Sequence, residues 1–204
     1  MPHLSGRELE YIEKAMEGSW VVPLGPDVDA FERELADFLG VEGDRVVALS
    51  SGTAAIHLGL EGCGVKAGDE VVVQSMTFSA SANPVRYLGA TPVFVDSEEE
   101  TWNIDPALLE RAILDREAKT GRRPKAIVPV SLYGMPPRMA EILEVAERHG
   151  IPVMEDAAEG LGSSYGGRSY APTRRAAGGP SSWPRRPART GPSTSMRRSA
   201  TTTV

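Results

Sequence analysis

The sequence predicts an α/β fold, a doubly wound and mostly parallel sheet, and three observations carry that prediction. Short runs rich in Val and Ile, at 45–49, 70–73, 92–95, 125–130 and 152–155, alternate with segments of helical period. The connections between them are short, which is the pattern of parallel βαβ units. With 204 residues, 41% apolar and 25% charged, the chain is long enough and apolar enough for one domain with a real core.

The elements follow in order. Ser5-Gly6-Arg7-Glu8 reads as a capping box with Ser5 as cap, opening a helix that Gly18 stops. Residues 20–26, WVVPLGP, read as an extended link. Phe31, Leu35, Phe38 and Leu39 recur at helical spacing, so a second helix runs over 26–39 and Gly40 ends it. Residues 45–49 are read as strand one and 53–60 as a helix. Strand two is 70–73, followed by a helix over 79–88 bent at Pro84. Strand three is 92–95. Asp105-Pro106 starts a long helix with Leu108, Leu109, Ala112 and Ile113 on one face. Strand four is 125–130, a helix covers 139–149, and strand five is 152–155.

Composition excludes several classes. No apolar run is long enough to cross a bilayer. Arg7, Glu8 and Glu10 come too early for a signal peptide, so the cytoplasm is the expected compartment. Cys63 is the only cysteine, which rules out a disulfide framework or a cysteine zinc site and reads as a small buried thiol. All 28 acidic residues precede Gly160, whereas 169–204 hold seven arginines, five prolines and no acid. The acidic body argues against nucleic acid, although the tail alone resembles an arginine-rich binder. Residues 169–204 show no apolar period, and are expected to be disordered or the product of an out-of-frame reading. The expected division is 1–40, an N-terminal helical segment; 41–168, a partial large domain; and 169–204, the tail.

Three loops carry candidate chemistry. In Leu49-Ser50-Ser51-Gly52-Thr53-Ala54, small residues lead into a helix, whose free N–H groups and dipole suit an anion. The same residues also simply cap helices. After strand two comes TFSASAN, 77–83, where Phe78 offers a face for a flat ring or packs on the core. After strand five, Asp156 precedes Ala157 and Ala158. Either it caps a helix, or it is a buried carboxylate awaiting a cation, such as a protonated pyridine nitrogen. No basic residue follows it in sequence until Arg168. His57 is read as a helix-packing residue, His149 as a helix-end residue, and Glu98-Glu99-Glu100 as a solvated turn rather than a metal site.

These motifs, with WVVPLGPDVDAF at 20–31, GATPVFVD at 89–96, Leu132-Tyr133-Gly134 and EDAAEGLG at 155–162, resemble the DegT/StrS family of pyridoxal-phosphate sugar aminotransferases. The resemblance spans about 4–167. It implies an aspartate-aminotransferase-like, fold type I large domain, here incomplete. It implies that Gly52, Thr53 and Ala54 hold the cofactor phosphate, that Phe78 stacks on the ring, and that Asp156 pairs with the ring nitrogen. Glu159 would lie by the cofactor's phenolic oxygen, a cofactor contact and candidate catalytic residue. Its Glu form resembles members acting on UDP-linked 4-keto-6-deoxy amino sugars. The implied partners are a nucleotide-sugar substrate and an amino donor, expected to be glutamate. Full-length relatives are expected as homodimers, without nucleic acid or membrane.

The sequence departs from the family at one decisive point. The Schiff-base lysine should follow the Asp-Ala-Ala motif, yet the lysines are Lys14, Lys66, Lys119 and Lys125. No His follows His149 either, so the dehydratase variant of the site is not matched. The chain is also about half the family length. Two readings stay open: an aminotransferase lineage of polysaccharide biosynthesis, or a truncated, catalytically inactive remnant. In the family's sheet, two later strands separate strand one from strand five. Strand one should therefore lack a ladder to strand five, leaving apolar edges that invite aggregation.

Overall fold

A computed structural model describes residues 4–41 and 45–165, and the backbone of 168–169 and 202–203. The chain divides into two compact units, 1–48 and 49–204.

The first unit contains α1, Glu8–Glu17, and α2, Pro26–Leu39. The predicted capping box is displaced. Arg7 is the residue before the helix, while Ser5 donates both its N–H and its hydroxyl to the Glu8 carboxylate, at 2.7 and 2.9 Å. The bounds of α2 are those the sequence predicts. Pro26 pre-sets the first turn, and Gly40 closes the helix at φ 63°, in the left-handed region. In the link, Trp20 folds over Gly25, where an added Cβ would meet the ring at 2.8 Å.

Residues 45–49 form no strand, contrary to the sequence reading: their backbone is irregular and Val47 is 58% exposed. An apolar run becomes a strand only where a neighbouring strand takes its backbone hydrogen bonds; here Ala48 N donates instead to the Glu32 carboxylate of α2 at 2.9 Å. The expectation of a strand one with a bare apolar edge therefore does not apply.

The second unit is built on parallel strands β1, Glu70–Gln74, β2, Thr91–Val95, and β3, Ala126–Val128, in spatial order β2-β1-β3. The fourth strand, β4, Met154–Glu155, continues the sheet beside β3 through parallel bridges at Ile127–Val153 and Val130–Asp156. Helix α3, Gly52–Gly62, and α4, Asn83–Tyr87, follow the predicted order, as do α5, Pro106–Thr120, and α6, Met139–His149. Two cores lie on opposite faces of the sheet, as a doubly wound fold requires. On one, Val72, Val95 and Ile127 pack with Leu109 and Ile113 of α5 and Ile142 and Val145 of α6. On the other, Val71, Val73, Val128 and Met154 pack with Ile56 and Leu60 of α3 and Val85 of α4.

The helix predicted over 79–88 is two pieces, a 3-10 turn at Ser79–Ser81 and α4. Pro84 sits in the first turn of α4, where its missing N–H costs nothing, so the helix restarts there instead of bending. Short strands β5, Ser164–Tyr165, and β6, Arg168–Ser169, pair antiparallel. Strand β7, Thr202–Thr203, pairs parallel with β4. The rest of the expected tail, 170–201 and 204, lies outside the described residues.

Candidate functional site

The carboxyl ends of the parallel strands are where an open α/β sheet offers a crevice, and the loops leaving them are tied to one another by buried polar contacts. Gln74 ends the apolar run of β1 fully buried. Its amide nitrogen donates to Met76 O at 2.8 Å and Asn103 Oδ1 at 3.1 Å, while its Oε1 accepts from Ile104 N at 2.9 Å and Val130 N at 3.4 Å. Asn103, also fully buried, accepts from Leu132 N at 3.1 Å and donates to Met135 O at 2.8 Å. Two side chains thus bind together the loops after β1, β2 and β3. Sequence reading assigned nothing to either. The available signal was a polar residue closing the run Val71-Val72-Val73.

Asp156 stands at the end of β4 and is 5% exposed. Its backbone is held on both sides by the loop after β3, through Asp156 N to Pro129 O and Ser131 N to Asp156 O, each 3.0 Å. Its Oδ2 accepts from the Ser81 hydroxyl at 2.7 Å, and its Oδ1 from Ala158 N at 3.3 Å. Among the described residues no basic side chain forms an ion pair with it. The reading as a helix cap does not hold, because turns rather than a helix follow.

Phe78 lies three residues before Ser81 and is 78% exposed, so it does not pack into the core. The Ser81–Asp156 bond joins its loop to the end of β4. Glu159 is exposed, and its Oε2 accepts from Tyr133 N at 2.6 Å. Tyr133 holds a left-handed backbone, φ 53° and ψ 27°, with its ring 83% exposed. Such a conformation costs a non-glycine residue about 1–3 kcal/mol and needs support from its surroundings. The supports are the Glu159 carboxylate, the Asn103 contact to Leu132, and Ser163 Oγ donating to Gly134 O at 2.6 Å. At Gly134, φ 80°, a Cβ would be strained by the left-handed backbone and tight against Glu159 O at 3.1 Å.

Gly52, Thr53 and Ala54 open α3, one residue earlier than the predicted start at Thr53, and no strand leads into them. Ser51 is the cap, and its Oγ accepts from Ala54 N at 3.2 Å. An added Cβ at Gly52 would meet nothing within 4 Å, so a ligand oxygen can approach its backbone. An open groove of about 440 Å³ beside this helix start is lined by Leu49, Thr53, His57, Leu58 and Tyr87, and by neither Phe78 nor Asp156. His57 stacks obliquely on Tyr87, ring centroids 6.3 Å apart, the helix-packing role read from sequence.

Other candidates resolve as structural. Cys63 is buried, and burial pushes its thiol up to about 11. Glu98 is 8% exposed, so the Glu98–Glu100 segment is no simple solvated turn. Burial alone would raise its carboxyl. The Thr101 hydroxyl and the N–H groups of Glu100 and Thr101 outweigh that and hold it below the usual range, because each bond favours the charged form. His149 and Arg148 hold Glu110 low in the same way, linking α6 to α5.

Residues 2–179 match the model of the DegT/DnrJ/EryC1/StrS aminotransferase family. The chain belongs to that family. It is 50% identical over 167 residues to EpsN of Bacillus subtilis (strain 168), covering 82% of this chain and 42% of EpsN. It is 45% identical over 167 residues to GDP-perosamine synthase of Caulobacter vibrioides, covering 82% of this chain and 43% of that enzyme. The solved PLP form of Spr1654 from Streptococcus pneumoniae superimposes with a TM-score of 0.73 at 30% identity, over 83% of this chain and 44% of that one. The family assignment and the fold type I architecture inferred from sequence therefore stand. The chain spans less than half the length of each of these relatives. Among the described residues no helix is long and apolar enough to cross a membrane.

Proposed function

We propose that this chain supplies the N-terminal part of the cofactor site of a pyridoxal-phosphate-dependent aminotransferase acting on a nucleotide-linked keto sugar in amino-sugar and polysaccharide biosynthesis. The carrying observation is Asp156, a buried carboxylate at a strand end with hydroxyl and amide donors and, among the described residues, no cationic side chain paired with it. A buried charge without a partner is costly, and a protonated pyridine nitrogen supplies the missing cation. Bound there, pyridoxal phosphate would supply the electron sink that transamination needs.

The other residues fit that group. Gly52 presents its backbone to open space and Thr53 lines the groove at the start of α3, where the dipole favours phosphate. Ala54 could contribute its N–H only by giving up the Ser51 cap. Phe78 offers an exposed ring face from the loop that Ser81 ties to Asp156. Glu159 is aimed by the Tyr133 turn and is our candidate for the group beside the phenolic oxygen. The amino donor we propose is glutamate, and the assembly a homodimer.

The residues we assign in this chain are cradle residues, since none of Lys14, Lys66, Lys119 and Lys125 follows Asp156. The test is titration of pyridoxamine 5′-phosphate into the chain and into Asp156→Asn. Tighter binding by the parent, by tenfold or more, is expected. Equal affinity would remove Asp156 from the site. Borohydride treatment with pyridoxal phosphate should label no single lysine at unit stoichiometry, and such labelling would overturn the assignment.

A further inference from the structure

The Ser81 hydroxyl is fully buried, and sequence reading gave it no role. We propose that Ser81 is a positioning residue for Asp156, fed by Thr77, that fixes which carboxylate oxygen is left for the cofactor ring nitrogen. The inference rests on the cofactor reading above.

Ser81 is 1% exposed and its Oγ lies 2.7 Å from Asp156 Oδ2 and 2.7 Å from Thr77 Oγ1. A hydroxyl carries one hydrogen. A carboxylate can only accept, so the hydrogen of Ser81 goes to Oδ2. Thr77 must then donate to Ser81. The result is a one-way chain from Thr77 through Ser81 to Asp156, in which each bond polarises the next. The chain is rigid at both ends. Ser81 closes a 3-10 turn whose N–H bonds to Phe78 O at 3.0 Å, and the Asp156 backbone is clamped to the loop after β3. Oδ2 holds a short, charge-assisted bond whereas Oδ1 accepts a longer one from Ala158 N at 3.3 Å, so Oδ1 is the less engaged oxygen. The carboxylate is thus oriented before any ligand arrives. The same turn carries Phe78 three residues earlier, so one hydroxyl couples the ring-stacking candidate to the ring-nitrogen candidate.

Two measurements test this. The first uses pyridoxamine 5′-phosphate and its 1-deaza analogue, in which CH replaces the ring nitrogen, so the ratio of their affinities reads the contact to Asp156 alone. The parent chain should prefer the pyridine at least tenfold. Ser81→Ala should cut that preference severalfold, and Ser81→Thr should restore it. A Ser81→Ala chain that weakens both ligands equally, or neither, overturns the proposal. A parent chain indifferent to the nitrogen overturns the cofactor reading instead. The second measurement needs no ligand. Ser81→Ala should lower the thermal midpoint by several degrees in the parent and by less than half as much in Asp156→Ala. If that variant does not fold, Asp156→Leu, which likewise offers Ser81 no acceptor, takes its place, with the same threshold. Equal shifts in both backgrounds mean that the two side chains are not coupled, and overturn the relay independently of any cofactor.

Discussion

Replacing Gln74 by Met keeps the length and bulk of the side chain but removes its carboxamide. Three well-formed bonds are lost, to Met76 O, Asn103 Oδ1 and Ile104 N, with a fourth, longer one to Val130 N. A net hydrogen bond contributes about 1 kcal/mol, and a buried donor left without an acceptor costs about 1–3 kcal/mol. Asn103 Oδ1 keeps Leu132 N as a partner, so the main orphan is Ile104 N–H. With the bonds to Met76 O and Asn103 Oδ1 at about 1 kcal/mol each and the orphan at about 1–3, the expected loss is about 3–5 kcal/mol. At roughly 2–4 °C per kcal/mol for a chain of this size, the thermal midpoint should fall by about 6–20 °C. The assay is thermal and urea unfolding of the 204-residue chain, with amide hydrogen exchange as a local readout. The amides of Ile104 and Leu132 should lose protection before those of Val72 in the sheet core. A fall of under about 2 °C, or exchange that rises uniformly, would refute the view that this carboxamide holds the loops together.

Asp105 caps α5 by accepting from Ala107 N and Leu108 N at 2.7 and 3.1 Å, so Asp105→Ala should cost about 1 kcal/mol by urea melt and Asp105→Asn much less. Glu110 is held below its ordinary range first by His149 and then by Arg148. A depressed carboxyl stabilises above its unfolded pKa, about 4.3, and loses that contribution as pH falls through the folded value. Glu110→Gln should therefore melt lower than the parent near neutrality, and the two should converge in acid; curves that stay parallel down to about pH 3 would contradict this. Cys63, pushed up to about 11 by burial, should react with a thiol reagent at pH 8 far more slowly in the folded chain than in urea. Similar rates in both states would show the thiol to be accessible.

At α2 and α6, where structure depends on neighbours in sequence, the sequence was enough. Helix α2 and helix α6 have the bounds read from it, because Pro26 starts one and Gly40 and Gly150 end them in left-handed conformations that local chemistry dictates. The order of strands and helices, the parallel sheet and the family motifs were legible for the same reason. The tertiary structure decided what depends on partners far along the chain. Residues 45–49 have the composition of a strand but not the conformation, since a strand requires a paired neighbour. Asp156 could be read as a cap or as a buried carboxylate, and only the fold brings Ser81 to it across 75 positions. Gln74 and Asn103, 29 apart, look like ordinary polar residues until their carboxamides meet inside the protein. A hydrogen bond is satisfied by whatever donor the fold places opposite, and no local pattern records which one that is.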